Sequence, residues 1–140
     1  MSVRVRLVSW DEASERLLAL RTVVFVHEQH VPIELERDGR DPECLHALAE
    51  DEHGEAIGAA RLLPDGHIGR MAVLSAARGQ GVGTQMLRAL IAVARTRGMI
   101  EVEVHAQLRA RQFYASNGFV VTSDEYMEAG IPHVNMRRTL

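Results

Sequence analysis

From Ala77 to Leu87 the chain reads ARGQGVGTQML, an arginine and three glycines set directly before an apolar run. No other stretch constrains the fold as much. Val82, Met86, Leu90 and Val93 recur at three- and four-residue intervals, so a helix is expected from about Gly81 to Arg97 with one buried stripe. Gly98 stands where a C-terminal cap belongs, with Arg95 and Arg97 near the negative end of the helix dipole. A strand-like segment, His67 to Leu74, runs into the glycines, and another, Met99 to Ala106, follows the helix. Strand, helix and strand over about 40 residues make a βαβ crossover, whose two strands are parallel.

The rest of the chain builds outward from that unit. Val3, Val5 and Leu7 alternate with Arg4 and Arg6, the pattern of a half-buried strand. Ser9 and Glu12 form an S-x-x-E capping box for a helix whose apolar face holds Leu17, Leu20 and Val24. Pro32 ends that region, and the acidic segment Glu34 to Glu43 reads as loop or short helix. Leu45 to Ala49 and Ala56 to Leu63 are expected as strands around the Glu52-His53-Gly54 turn, and Pro64-Asp65-Gly66 turns into the strand at His67. A short helix is expected around Ala110 to Asn117, closed by Gly118, with Phe119 to Val121 and Val134 to Arg138 as a final antiparallel pair. No repeat, low-complexity tract or linker interrupts the 140 residues, so one α/β domain with a mixed sheet spans 1–140.

Composition bounds the function. A hydrophobic fraction of 46% supports a sizeable core and argues against disorder. Cys44 is the single cysteine, which excludes an intrachain disulfide and a multi-cysteine zinc site and fits a reducing compartment. No signal-peptide core and no membrane-length apolar run is present, so a cytoplasmic protein without a membrane partner is expected. The net charge of −3 gives no argument for nucleic acid. Its distribution is uneven. Glu28 to Glu55 carries ten acidic residues against two arginines, and Arg78 to Arg111 six arginines against two glutamates. Such runs are often solvated surface, but they also fit an anionic ligand on one side and a cationic one on the other.

A glycine turn at a helix start usually holds phosphate, through unpaired helix N–H groups and close backbone approach. A triphosphate loop needs a lysine, and all sixteen basic residues here are arginine. A dinucleotide turn needs G-x-G-x-x-G. Gly79, Gly81 and Gly83 are followed by Thr84 where the last glycine belongs, although Glu101 and Glu103 lie about where a ribose-binding acid would. What remains is R-x-x-G-x-G, Arg78 with Gly81 and Gly83, suited to a pyrophosphate; a tight ligand-free turn is the alternative.

MAVLSAARGQGVGTQML resembles the acetyl-coenzyme A binding motif of the GNAT superfamily of N-acetyltransferases. EVEVHAQ resembles the fifth strand of that family, FYASNGF its late helix and turn, and RTVVFVHEQHVP and EAGIPHVNM its small bacterial ElaA-like or YjcF-like branch. These matches run in order over nearly the whole chain. The resemblance implies a mixed, mostly antiparallel sheet with a central parallel crossover and flanking helices. It implies acetyl-CoA as co-substrate, a small-molecule amine as acceptor, and a homodimer, as small members often form.

The resemblance also carries site roles. Met71, Ala72 and Val73 would meet acetyl and pantetheine, with a backbone amide, that of Val73, facing the thioester oxygen. Gly79, Gln80, Gly81, Val82, Gly83 and Thr84 would take the pyrophosphate, with Arg78 at the rim. Gln107 or Leu108 stands where many relatives have a pantetheine-binding asparagine, with Gln107 the candidate contact. Tyr114 would protonate the leaving thiolate, since a phenol reaches the site carrying its proton. For the base that neutralises the amine, His133 ranks first and Glu103 second. An imidazole has an ordinary pKa of about 6.5, and strand carboxylates serve as bases in many members.

The acidic stretch adds a narrower expectation, a cationic acceptor such as a polyamine or amino-sugar. No metal is expected, because neither His27 with His30 nor Cys44 with His46 supplies three spaced ligands. A second class of function stays open: a non-catalytic acyl-CoA-binding or interaction module, in which the glycine turn survives without a working acceptor site. Convergence of Tyr114, His133 and the thioester position would separate the two.

Overall fold

The computed structural model describes residues 2–140. Its strands are β1 (Arg4–Val8), β2 (Leu45–Glu50), β3 (Ala56–Leu62), β4 (His67–Val73), β5 (Glu101–Gln107), β6 (Val120–Val121), β7 (Tyr126–Glu128) and β8 (Ile131–Thr139). The α-helices are α1 (Trp10–Arg21), α2 (Ile33–Glu36), α3 (Val82–Thr96) and α4 (Arg111–Ser116). One sheet runs in the order β1-β2-β3-β4-β5-β8-β6, with β7 also on β8. Every pairing is antiparallel except β4 with β5, as the crossover requires. Among the described residues no helix is long and apolar enough to cross a membrane.

The sheet separates two cores. α1 packs Ala13, Leu17 and Leu20 against Leu48, Ala59 and Ala72; α3 packs Met86, Leu87, Leu90 and Ile91 against Ala47, Ala60, Val102 and Val104 on the other face. Alternation explains how adjacent residues such as Ala59 and Ala60 serve opposite cores. Alanines crowd β2 and β3, where helices cover both faces and leave little depth for larger side chains. The capping box at Ser9 and Glu12 is formed in full.

Several expectations shift. The strand after α3 starts at Glu101, two residues later than its apolar pattern suggested, because Met99 and Ile100 belong to the turn behind Gly98. β7 was not expected; it hairpins onto β8 through Ala129 and Gly130. α1 does not stop at Arg21 but widens into a π-helical turn over Thr22–Glu28. There Gln29 N–H reaches the Val24 carbonyl, five residues back, at 3.1 Å. The Thr22 hydroxyl donates to the Leu18 carbonyl at 2.7 Å, competing for a helix acceptor just where the ladder loosens.

The central irregularity is on β4. Between the pairs Arg61↔Gly69 and Ala59↔Ala72, β3 has one residue and β4 has two, Arg70 and Met71. That is a bulge, and Arg70 adopts φ +47 to make it. Left-handed backbone costs a non-glycine residue about 1–2 kcal/mol. The Arg70 guanidinium offsets this by reaching Glu36 Oε2 at 3.2 Å and Asp38 Oδ2 at 3.3 Å. A bulge bends its strand, and β4 pairs with β5 only at His67↔Glu103 and Ile68↔Val104 before the two diverge.

Candidate active site

Beyond Ile68, β4 keeps its partner β3 on one side and, among the described residues, has no strand partner on the other. Leu74 N–H is bonded to the Ile57 carbonyl at 2.9 Å. Directly opposed residues in an antiparallel ladder alternate between bonded and unbonded pairs. Val73, opposite Gly58, therefore turns its N–H away from β3 and toward the gap that β5 has left. The Val73 carbonyl accepts from Arg78 Nε at 3.0 Å.

A trough of about 390 Å³ opens from this gap over the start of α3. Met71, Val73, Arg78, Gly79, Gly81, Val82, Gly83 and Thr84 line it. Gly79 and Gly81 have φ near +77 and +80, which glycine alone adopts freely. A Cβ at either would enter open space, so the requirement is backbone conformation rather than room. Gly81 caps α3 with no side chain, and the first-turn N–H groups of this long helix face the trough. Glycine backbone, uncapped donors and a helix dipole suit a pyrophosphate.

Two residues expected along this trough are not in its wall. Ala72 points its methyl into the α1 core, because alternation sends it opposite to Met71 and Val73. Gln80 is exposed on the outside of the turn. Arg78 is present but engaged: its two terminal nitrogens each lie 2.7 Å from a Glu28 oxygen. That fork bridges the glycine turn to the π-helical segment and holds the Glu28 carboxyl below its ordinary range.

The trough adjoins a larger cavity of about 700 Å³, and Met71 and Phe113 belong to both walls. Tyr114, His133, Gln107, His105 and Glu128 line the larger one. The fold thus brings Tyr114 from α4 and His133 from β8 to one space beside the unpaired edge of β4. Tyr114 packs edge-on between Phe113 and Phe119, at centroid distances of 5.0 and 5.6 Å. Burial pushes its phenol up to about 12, so it stays protonated across the physiological range.

His133 is nearly buried, stacked on Tyr126 at 5.9 Å. Its Nδ1 lies 2.7 Å from the Ile131 carbonyl. A carbonyl only accepts, so Nδ1 carries the hydrogen and Nε2 keeps its lone pair when the ring is neutral. Nε2 is 3.6 Å from Glu128 Oε2. Gln107 is in the cavity wall but donates to Gln29 Oε1 at 2.7 Å and accepts from Arg109 Nε at 3.0 Å.

Glu103 lies at the edge of this group, with Oε1 3.5 Å from His105 Nε2. It lies where β4 and β5 are still paired, and it is not in the cavity wall. Arg137 Nε donates to its Oε2 at 3.1 Å.

The acidic stretch also looks different in three dimensions. Six of its ten carboxylates meet arginines: Glu28 with Arg78, Glu36 with Arg21, Asp38 with Arg61, Asp41 with Arg21 and Arg61, Glu43 with Arg40, Glu50 with Arg6 and Arg16. The other four, Glu34, Asp51, Glu52 and Glu55, do not line the cavity. Arginines thus neutralise the acids of this stretch that lie near the site, so the stretch adds little net negative charge there. Glu128 and the π-helical wall with Gln29 were missed by sequence reasoning. Both lie in segments that carry the branch resemblance, RTVVFVHEQHVP and EAGIPHVNM, but nothing within either segment singles out the side chain that faces the cavity.

A family model described as Acetyltransferase (GNAT) domain matches residues 11–140. The Bacillus subtilis protein named uncharacterized N-acetyltransferase YjcF is 37% identical over 132 residues, covering 91% of this chain and 94% of that one. The crystal structure of Escherichia coli ElaA superposes with a TM-score of 0.86 at 31% identity, over 96% of this chain and 99% of that one. An acyl-CoA N-acyltransferase from Pseudomonas aeruginosa gives 0.84 at 36% identity, over 98% and 99%.

Proposed function

Because this chain belongs to the GNAT acetyltransferase family, we propose that it moves the acetyl group of acetyl-CoA to a primary amine of a small molecule by direct attack. Acyl-CoA thioesters are the donors that the relatives' names imply. The single observation that carries the reading is that the phosphate-suited trough and the cavity of Tyr114 and His133 share the unpaired edge of β4. The same convergence weighs against a non-catalytic CoA-binding module.

In this reading pantetheine lies along Met71 to Val73 as an added strand, using backbone groups that β5 leaves free. The pyrophosphate rests on Gly79 to Thr84. Arg78 joins it by sharing or releasing Glu28. The free Val73 N–H is aimed where a thioester oxygen would gain negative charge, the requirement for an oxyanion donor. Tyr114 gives its proton to the departing thiolate. His133 takes a proton from the incoming ammonium at Nε2, because a free alkyl amine has a pKa of about 10.4 and only its neutral form attacks. Glu103, tied to Arg137, is the weaker candidate for that role.

The test is thiol release from acetyl-CoA against a panel of primary amines. Turnover with at least one amine supports the enzyme reading. Binding of CoA without turnover across a broad panel supports the module instead. With an active amine in hand, His133→Ala should lower kcat by about 10²-fold near pH 7. That deficit should narrow as the pH rises toward about 10, where the amine loses its proton unaided. A deficit independent of pH would remove His133 from the base role.

A further inference from the structure

We infer that His67, Glu103 and His105 form a binding site for one divalent transition metal, of which Zn²⁺ is the best match. The inference stands independently of the acyl-transfer reading. Among the described residues, the ligand atoms of these three side chains all lie within 4.8 Å of one another. His67 opens β4, opposite Glu103 in the parallel register, and Glu103 and His105 share a face of β5. Spacing in sequence hides the set, since 36 residues separate His67 from Glu103.

The distances favour an ion over simple pairing. Glu103 Oε1 lies 3.4 Å from His67 Nε2 and 3.5 Å from His105 Nε2. Both are too long for a hydrogen bond. Around a tetrahedral Zn²⁺ with bonds of about 2.0–2.2 Å, neighbouring ligand atoms sit about 3.3–3.6 Å apart.

The surroundings are those that orient metal ligands. Asp65 Oδ1 is 2.9 Å from His67 Nδ1, which fixes the proton there and leaves Nε2 to bind. Arg137 occupies Glu103 Oε2 and leaves Oε1. Glu128 Oε1 lies farther off, 3.7 Å from His105 Nδ1, beyond hydrogen-bond reach. Two imidazoles and one carboxylate make a three-ligand set with an open fourth position. His105 is exposed, so an ion has a way in, and both histidines line the larger cavity. Glu128 also approaches His133 with its other oxygen, so an ion here would lie one carboxylate away from that imidazole.

The experiment titrates Zn²⁺ into the chelator-treated full chain, free of any histidine tag, by calorimetry. One equivalent should bind in the micromolar range or tighter. Glu103→Gln and His67→Ala, each checked for native circular dichroism, should each weaken binding at least tenfold. Asp65→Asn should weaken it by about 10- to 100-fold through loss of the orienting carboxylate. His27→Ala should leave it unchanged. Co²⁺ should give the visible bands of a tetrahedral ion in the wild type and lose them in Glu103→Gln. Wild-type binding no stronger than that of His67→Ala would overturn the inference and leave the three groups as ion pairs only. Full affinity in both ligand variants would overturn it equally, by placing the ion elsewhere.

Discussion

Tyr114→Phe should lower kcat for acetyl transfer by about 10²–10⁴-fold, with CoA binding nearly unchanged. The substitution removes one oxygen and keeps the ring between Phe113 and Phe119, so the fold should survive. A phenol near 12 would hardly protonate an alkyl thiolate of ordinary pKa about 8.5 in water. The thiolate, however, would form against the same dry wall, and desolvation raises thiols as it raises phenols. The chain supplies its own comparison: burial pushes the Cys44 thiol up to about 11. Desolvation of the forming thiolate therefore narrows its gap to the phenol. An acetyl donor with an acidic aryl thiol needs no proton on departure. The wild-type advantage should therefore shrink with such a donor, whereas a packing defect would slow both donors alike. Equal rates for wild type and variant with acetyl-CoA would end the proposal that Tyr114 is the acid.

What could be read from the sequence was what local rules decide. The glycine turn, the stripe on α3, the capping box at Ser9 and the parallel crossover each follow from spacing within a few residues, and each is present. The trough was largely legible for the same reason: its wall is one contiguous motif. The side chains of Ala72 and Gln80 lie outside its wall, because a motif names positions while the local backbone decides which of them turn a side chain inward. The bulge at Arg70 was not legible. It puts an arginine where glycine is usual, and it holds only because Glu36 and Asp38 arrive from a distant segment. Charge summed along the acidic stretch was a poor guide to the charge at the site for the same reason, since it ignored Arg6, Arg16, Arg21, Arg61, Arg70 and Arg78. His67 meeting Glu103 and His105 is a product of strand register alone.

Arg21→Ala should destabilise the protein by about 3–5 kcal/mol, or roughly 10–17 °C in Tm for a chain of this length. Arg21, Glu36 and Asp41 are all essentially enclosed, at 1%, 2% and 4% exposure. The Arg21 guanidinium donates to Glu36 Oε2 at 2.9 Å and to both Asp41 oxygens at 2.7 and 3.0 Å, and it lies 5.8 Å from the Trp10 ring centroid. Removing it takes one arginine from each of two buried carboxylates and leaves their charge less well compensated, which is what makes breaking a buried ion pair costly. Arg61 and Arg70 remain nearby, so the lower end of the range is expected. Arg21→Lys keeps the charge but loses the fork, and should fall between. The pH dependence separates electrostatics from packing. Burial would raise the Asp41 carboxyl, but Arg21 and Arg61 outweigh it and hold the group below its ordinary range; Asp38 is held low mainly by Arg61. Carboxyls depressed in the folded state stabilise it above their ordinary pKa of about 3.9 and lose that contribution as the pH falls through the folded value. The wild type should therefore lose more stability than Arg21→Ala on acidification below about pH 4, and the gap between them should close. Urea unfolding at pH 7 and pH 3 reads both numbers. A gap that stays constant would assign the loss to the cavity left by the side chain. A gap under about 1 kcal/mol at pH 7 would show that the network adds nothing net, as replaced buried ion pairs sometimes do not. The network also clamps the Arg70 bulge, so the variant should weaken CoA binding as β4 relaxes toward β5 and closes the gap.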